Sequence, residues 1–168
     1  KLSELEKKCY KSVCMQLKGY DVVLLDDNNI TEYLFLPNVI IDKYKNNIIS
    51  NSHFSDIIQV ALLEEYGGIW MDKTVYCSHL CQIPKYMLES DFFVLQNLKP
   101  SVDGTILNTS KWFMVAKKRN IIISTLKNLL YEYWKQDISV ANDKLLEYFM
   151  AIVSDFYRNF NVSSTCRC

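Results

Sequence analysis

Residues 53–77, HFSDIIQVALLEEYGGIWMDKTVYC, constrain the fold more than any other stretch of the chain. Ser52 is placed to cap a helix running from about His53 to Tyr66, with Phe54, Ile57, Ile58, Ala61 and Leu62 spaced for one buried face. Gly67 and Gly68 suit a left-handed stop, and IWMDKTVY then reads as a strand. In a regular strand alternate residues point the same way, so Trp70, Asp72 and Thr74 share one face and Met71, Lys73 and Val75 the other. The chain thus brings a carboxylate, Asp56, in the first turn of a helix and a second, Asp72, near the end of the following strand. Open α/β sheets place ligands at the C-terminal ends of their strands. Asp72 and the Thr74 hydroxyl on its face suit a hard cation such as Mg²⁺ or Mn²⁺ and, through it, a diphosphate, with Asp56 placed to face the same cleft. The plainer reading is also consistent with spacing: an Asp at a helix start complements the helix dipole, and an Asp after a strand is a common turn residue.

The surrounding sequence gives an α/β class. Residues 2–17 carry Leu2, Leu5, Cys9 and Val13 at helical spacing, and GYDVVLLDDNN reads as a strand closed by the turn Asp26–Asn29. Residues 30–50 read as a short helix and loop broken at Pro37. DFFVLQN (91–97) and WFMVA (112–116) form a second β region, and the last third is helical, in NIIISTLKNLLYEYW and NDKLLEYFMAIVSDFYRNF. Nothing splits the 168 residues into two domains, and 161–168 reads as a frayed tail.

A formal net charge of zero argues against nucleic acid or an anionic membrane as partner, and no apolar run is long enough to span a bilayer. The chain begins at Lys1 with no visible leader, as a fragment or processed product would. Six cysteines read as free thiols in a reducing compartment, although Cys77-x3-Cys81, with His79 between, and Cys166-x-Cys168 leave a zinc site open. These features give a cytoplasmic expectation, with peripheral association at a membrane left open. His53 reads as a capping or packing residue, His79 as a loop residue, and Asp91, Asp103 and Asp143 as loop or helix-start carboxylates. Most of the aromatic residues, Tyr131, Tyr133, Trp134, Tyr148, Phe149, Phe156 and Tyr157 among them, fall at core spacing, Trp112 being the exception that suits a sugar ring.

The ordered run HFSDIIQVALLEEYGGIWMDKTV resembles the signature of capsular-polysaccharide-synthesis-type glycosyltransferases, a group carrying a DXD motif after an SD…R…L…YGG helix. CYKSV, YDVVLLDDNNITEYLFLP, SKWFMVAKKRN and YEYWKQ…LLEYF extend the likeness over most of residues 9 to 157. The resemblance implies a GT-A fold, a nucleotide-binding α/β sandwich using a nucleotide-sugar donor, such as a UDP-sugar, with a divalent cation and a glycan acceptor, and with retention of configuration. It implies Asp56 at the donor sugar or ribose, Asp72 with Thr74 at the metal and diphosphate, Trp70 near the nucleotide, and Gly67-Gly68 as the close turn into the motif strand. Asn108, Ser110, Lys111 and Trp112 would line the donor or acceptor side.

The departures are specific. Gln59 stands where an arginine is usual, and the triplet is Asp72-Lys73-Thr74 rather than DXD. Gln can hydrogen-bond a sugar hydroxyl but cannot neutralise phosphate. Lys73 would point away from Asp72 in a regular strand, and would approach a diphosphate only if the strand ended early. The usual first, base-contacting strand and the C-terminal extension of such enzymes have no counterpart in the chain. A rival reading follows: a catalytically impaired transferase-like protein that binds sugar nucleotide or glycan, or acts as a scaffold.

Overall fold

The computed structural model describes residues 2–78, 83–96, 109–136 and 142–161. Helix α1 (Glu4–Gln16) starts at a reciprocal capping box, the Ser3 hydroxyl accepting from Glu6 N–H while the Glu6 carboxylate accepts from Ser3 N–H. Short helices α2 (Ile30–Tyr33) and α3 (Asn38–Lys45) follow, and Pro37 is the N-cap of α3, so it begins a helix where a break was expected. Helix α4 (Asn51–Tyr66) leads into strand β1 (Gly68–Met71). Beyond it come α5 (Lys85–Leu88), β2 (Phe92–Gln96), β3 (Thr109–Ala116), α6 (Ile121–Lys135) and α7 (Leu145–Asn161). The expected tail lies, from residue 162, outside the described residues.

Helix α4 is the centre of the packing because it is apolar on more than one side. Val60 and Leu63 join Met114 and Ala116 of β3, Ile123, Leu126 and Leu130 of α6, and Leu146, Met150 and Val153 of α7. On its other flank Phe54, Ile57 and Ala61 pack with Leu36, Ile40, Ile49 and Trp134. Tyr44 stacks on Phe54 with ring centroids 3.8 Å apart.

The class is mixed α/β, built on a three-stranded antiparallel sheet of order β1-β3-β2. The expected strand at residues 19–25 does not form: the segment is irregular, and no described strand lies alongside it. Val22, Leu24 and Leu25 are only half-buried, Tyr20 and Val23 are exposed, and two of the carbonyls are met by side chains, Val22 by the Tyr10 hydroxyl and Leu24 by the Asn29 amide. The turn after it does form, with the Asp26 carboxylate accepting from the N–H groups of Asn28 and Asn29; those bonds hold its pKa below the ordinary carboxylate range.

Three local details bear on the central stretch. The cap of α4 is Ser50, whose hydroxyl accepts from His53 N–H, so the helix begins two residues before the expected start and Asp56 lies in its second turn. Gly67 ends α4 at φ 70°, ψ −160°, an extended mirror-image conformation rather than the left-handed helical one. A Cβ there would lie 2.5 Å from Lys118 N and 3.0 Å from Ala116 O, so Gly67 lets the chain pass against the end of β3. Strand β1 stops at Met71, and Lys73-Thr74 forms a turn closed by Val75 N–H on the Asp72 carbonyl at 2.9 Å. The expected alternation therefore ends at Asp72, and Thr74 is exposed in the turn instead of following Asp72 along a strand face.

Candidate functional site

The two carboxylates of the motif are brought together, though not by the route expected from the sequence. Asp56 is buried within α4, 4% exposed, and an N-terminal helix dipole does not account for it. Asp72 is half-buried just past β1, and its backbone N–H donates to the Trp112 carbonyl at 3.0 Å, one bond beyond the last β1–β3 pair. Its carboxylate Oδ1 accepts from the Trp70 indole N–H at 2.9 Å. Trp70 and Asp72 thus share a side, as alternation requires, and the indole fixes the carboxylate's orientation.

The third element is a bulge in β3. Val94 of β2 pairs with Met114 and the next residue, Leu95, pairs with Ser110, so Lys111, Trp112 and Phe113 have no counterpart on β2. Bulges re-aim side chains and interrupt pairing. Here the bulge sends Lys111 between α4 and α7: its Nζ donates to Asp56 Oδ2 at 2.9 Å and lies 3.9 Å from Glu147 Oε2. Lys111 retains 21% of its side-chain exposure, Glu147 16% and Asp56 5%, so Lys111 is the most exposed of the three.

Burial dominates the electrostatics of Asp56. Loss of hydration pushes its pKa up to about 7; the charge and hydrogen bond of Lys111 oppose this, while the charges of Glu147 and Asp72 add to it. That Asp72 acts on Asp56 at all is the mark of their convergence.

The remaining expected site residues divide clearly. Gln59 is 1% exposed, and its amide donates to the Lys111 carbonyl at 2.8 Å and approaches Met114 Sδ at 3.9 Å; it is turned inward, holding the bulge. Gly67 and Gly68 shape the crossing into β1, both at positive φ. Lys73 reaches away from Asp72 to Glu6 of α1, Nζ–Oε1 2.8 Å, and with Ser3 this contact draws Glu6 down to about 2. Ser110 is half-buried, whereas Asn108 lies outside the described residues, as do His79, Cys81, Asp103, Cys166 and Cys168.

His53 packs rather than caps with its side chain: the ring is buried 5.5 Å from Trp134, Nδ1 has no hydrogen-bond partner, and burial lowers its pKa. Asp91 is an exposed partner of Lys117, and Asp143 is exposed. Cys9 and Cys14 are free thiols. Among the described residues no three His, Cys, Asp or Glu side chains gather as a metal site, and no helix is long and apolar enough to cross a membrane.

The Lys111–Asp56–Glu147 cluster is what sequence reasoning missed. Glu147, in the first turn of α7, was not singled out in the sequence; the available signal was its place between Leu146 and Met150, both buried. A groove of about 300 Å³, lined by Tyr33, Phe35, Glu64, Lys127 and Tyr131 among others, lies elsewhere and contains none of the motif carboxylates.

The family model of capsular polysaccharide synthesis proteins matches residues 1–165. The chain belongs to that family. No curated protein and no solved structure matches it. Membership in the capsular polysaccharide synthesis family suggests a role in capsule biosynthesis, and the helix–Gly-Gly–strand stretch with its two carboxylates lies wholly within the matched region.

Proposed function

We propose that this protein is a glycosyltransferase of capsule or related polysaccharide synthesis, with a GT-A-like fold, moving a sugar from a nucleotide-sugar donor, a UDP-sugar in the first instance, to a glycan acceptor with retention of configuration. Family membership supports the biosynthetic role. The observation that carries the reading is that both carboxylates meet one short segment of β3, Asp56 accepting from the Lys111 ammonium and Asp72 donating its backbone N–H to the Trp112 carbonyl.

Departure of a nucleoside diphosphate places negative charge on phosphate oxygen, which the site must meet with positive charge or oriented donors. The donor set fits a cation that arrives on the diphosphate better than one held in a prebuilt cage. Magnesium is commonly held by one or two carboxylates plus substrate phosphates. Asp72 commits Oδ1 to the Trp70 indole and would offer its other oxygen, with the neutral Thr74 hydroxyl as a weaker second donor. A bound Mg²⁺ or Mn²⁺ supplies Lewis-acid stabilisation of the departing diphosphate. Asp56, being interior, would meet a sugar or ribose hydroxyl only at the inner end of the site, while Trp112 stands at its mouth.

Release of nucleoside diphosphate from a panel of sugar nucleotides, with and without Mn²⁺, tests the reading. Turnover that falls at least about 100-fold in Asp72→Ala supports it; turnover indifferent to that substitution, or absent with every donor, refutes it. A second reading, binding without catalysis, is favoured by one observation: Lys73 is tied to Glu6 and Gln59 is turned inward, so neither is directed at a donor. Nucleoside-diphosphate binding in a protein that turns over no donor would establish that reading instead.

A further inference from the structure

Resting on the transferase reading and deepening it, we propose that Lys111 is the side chain that receives the donor's diphosphate, exchanging its contact with Asp56 for a phosphate oxygen. With all groups ionised, the cluster sets two carboxylates, Asp56 and Glu147, against the single ammonium of Lys111, a formal balance of −1, and the charge of Asp72 bears on Asp56 besides. A diphosphate cannot enter such a site without a cation to meet it. Lys73, the basic residue of the motif itself, pairs with Glu6 of α1, outside the cluster.

Geometry then selects Lys111. Its backbone is fixed from two sides: Gln59 donates to its carbonyl at 2.8 Å, and Asp72 N–H is bonded to the next carbonyl, that of Trp112, at 3.0 Å. The side chain therefore departs from a rigid point adjoining Asp72, and it keeps 21% of its exposure. A lysine carries a compact charge on a flexible four-carbon stem, so it can change partners while its backbone stays still.

The partners left behind are prepared for the exchange. Glu147 Oε2 is buried without a hydrogen bond and lies 3.9 Å from Nζ, so it remains a nearby counter-charge as the ammonium swings outward. Asp56, whose pKa burial raises to about 7, takes up a proton when the ammonium leaves rather than standing as an unpaired buried charge. A purely architectural ion pair would need neither property.

Isothermal titration of the intact protein with UDP, GDP, ADP and CDP, each with Mn²⁺, provides the test. For whichever nucleotide binds, Lys111→Met is expected to weaken binding about tenfold or more, the usual scale for losing a hydrogen bond to a charged group. Lys111→Arg, which keeps the charge, is expected to retain most of the affinity. Equal affinity in Lys111→Met and the parent overturns the proposal while leaving the transferase reading intact; failure of the parent to bind any of the four overturns the transferase reading itself, and this one with it. A second measurement needs no variant: saturating nucleotide should slow acetylation of Lys111 in the parent protein, read by peptide mass spectrometry, without slowing that of exposed Lys73. Unchanged Lys111 acetylation also overturns the proposal.

Discussion

Replacing Asp56 by asparagine should make the protein's stability respond differently to pH, and the size of the difference follows from the site. Asp56 rises from an ordinary 3.8 to about 7 on folding because it is removed from water. A carboxyl group whose folded pKa lies above its unfolded one binds its proton more tightly in the fold. Its favourable contribution is therefore complete below about 3.8 and is lost as pH rises through about 7. At about 1.4 kcal/mol per tenfold change in proton affinity, the whole span from 3.8 to about 7 is worth about 4 kcal/mol. About 3 kcal/mol of that falls between pH 5 and pH 8.

Asparagine keeps the shape and cannot titrate. The stability of Asp56→Asn relative to the parent should thus increase by about 3 kcal/mol from pH 5 to pH 8. With a urea slope of about 2 kcal/mol/M, the difference between the two midpoints should change by about 1.5 M over that range. The comparison is needed because other groups titrate as well. His53, its pKa lowered by burial, contributes with the opposite sign, losing stability as pH falls below its ordinary 6.5. Equilibrium urea unfolding at pH 5, 6, 7 and 8 decides the matter. A difference constant to within about 0.5 kcal/mol would mean that the Lys111 ion pair outweighs desolvation and that Asp56 remains ionised throughout. The reasoning from burial would then be wrong.

Two further predictions concern the backbone on either side of that residue. Gly67→Ala should cost roughly 2–4 kcal/mol in thermal or urea unfolding, because the new Cβ meets backbone at φ 70° with no flexible neighbour to yield; Gly68→Ala, with open space around it, should cost clearly less, and the reverse order would contradict the crossing described at the end of β3. Ser50→Ala should lose about 1 kcal/mol through its cap on His53 N–H, whereas Ser52→Ala should stay within about 0.5 kcal/mol; if Ser52 proves the costlier position, the start of α4 is misplaced by two residues.

Much of the architecture was legible because it is local. The apolar spacing of α1, α4, α6 and α7, the Gly-Gly stop and the strands near residues 69, 93 and 114 are properties of short windows, and they appear close to where the spacing predicts. Local information also explains the errors. Ser50 and Ser52 are chemically identical caps, and only the path of the preceding loop chooses between them. VVLL at 22–25 has the composition of a strand, but a strand requires a partner, and residues 20–26 receive none from β1, β2 or β3. Likewise Asp72 is a common turn residue after a strand, and the chain does turn there at Lys73-Thr74, but nothing local shows that Lys73 finds Glu6 of α1.

The site was harder to read because its meaning depends on partners far away in sequence. Asp56 and Gln59 lie one turn apart on α4, and both are directed at one residue, Lys111: the carboxylate takes its ammonium and the amide takes its carbonyl, across 55 and 52 positions respectively. Gly67 then lets the chain pass close enough to the end of β3 for β1 to pair with it, and that pairing bonds Asp72 to the carbonyl next to Lys111. The helix, the glycines and the strand of the motif thus act together to present one carboxylate beside a lysine that the motif does not contain. Gln59 has a structural task here: a buried amide can hold a backbone carbonyl, which needs no charge, while the positive charge of the cluster resides on the β3 bulge.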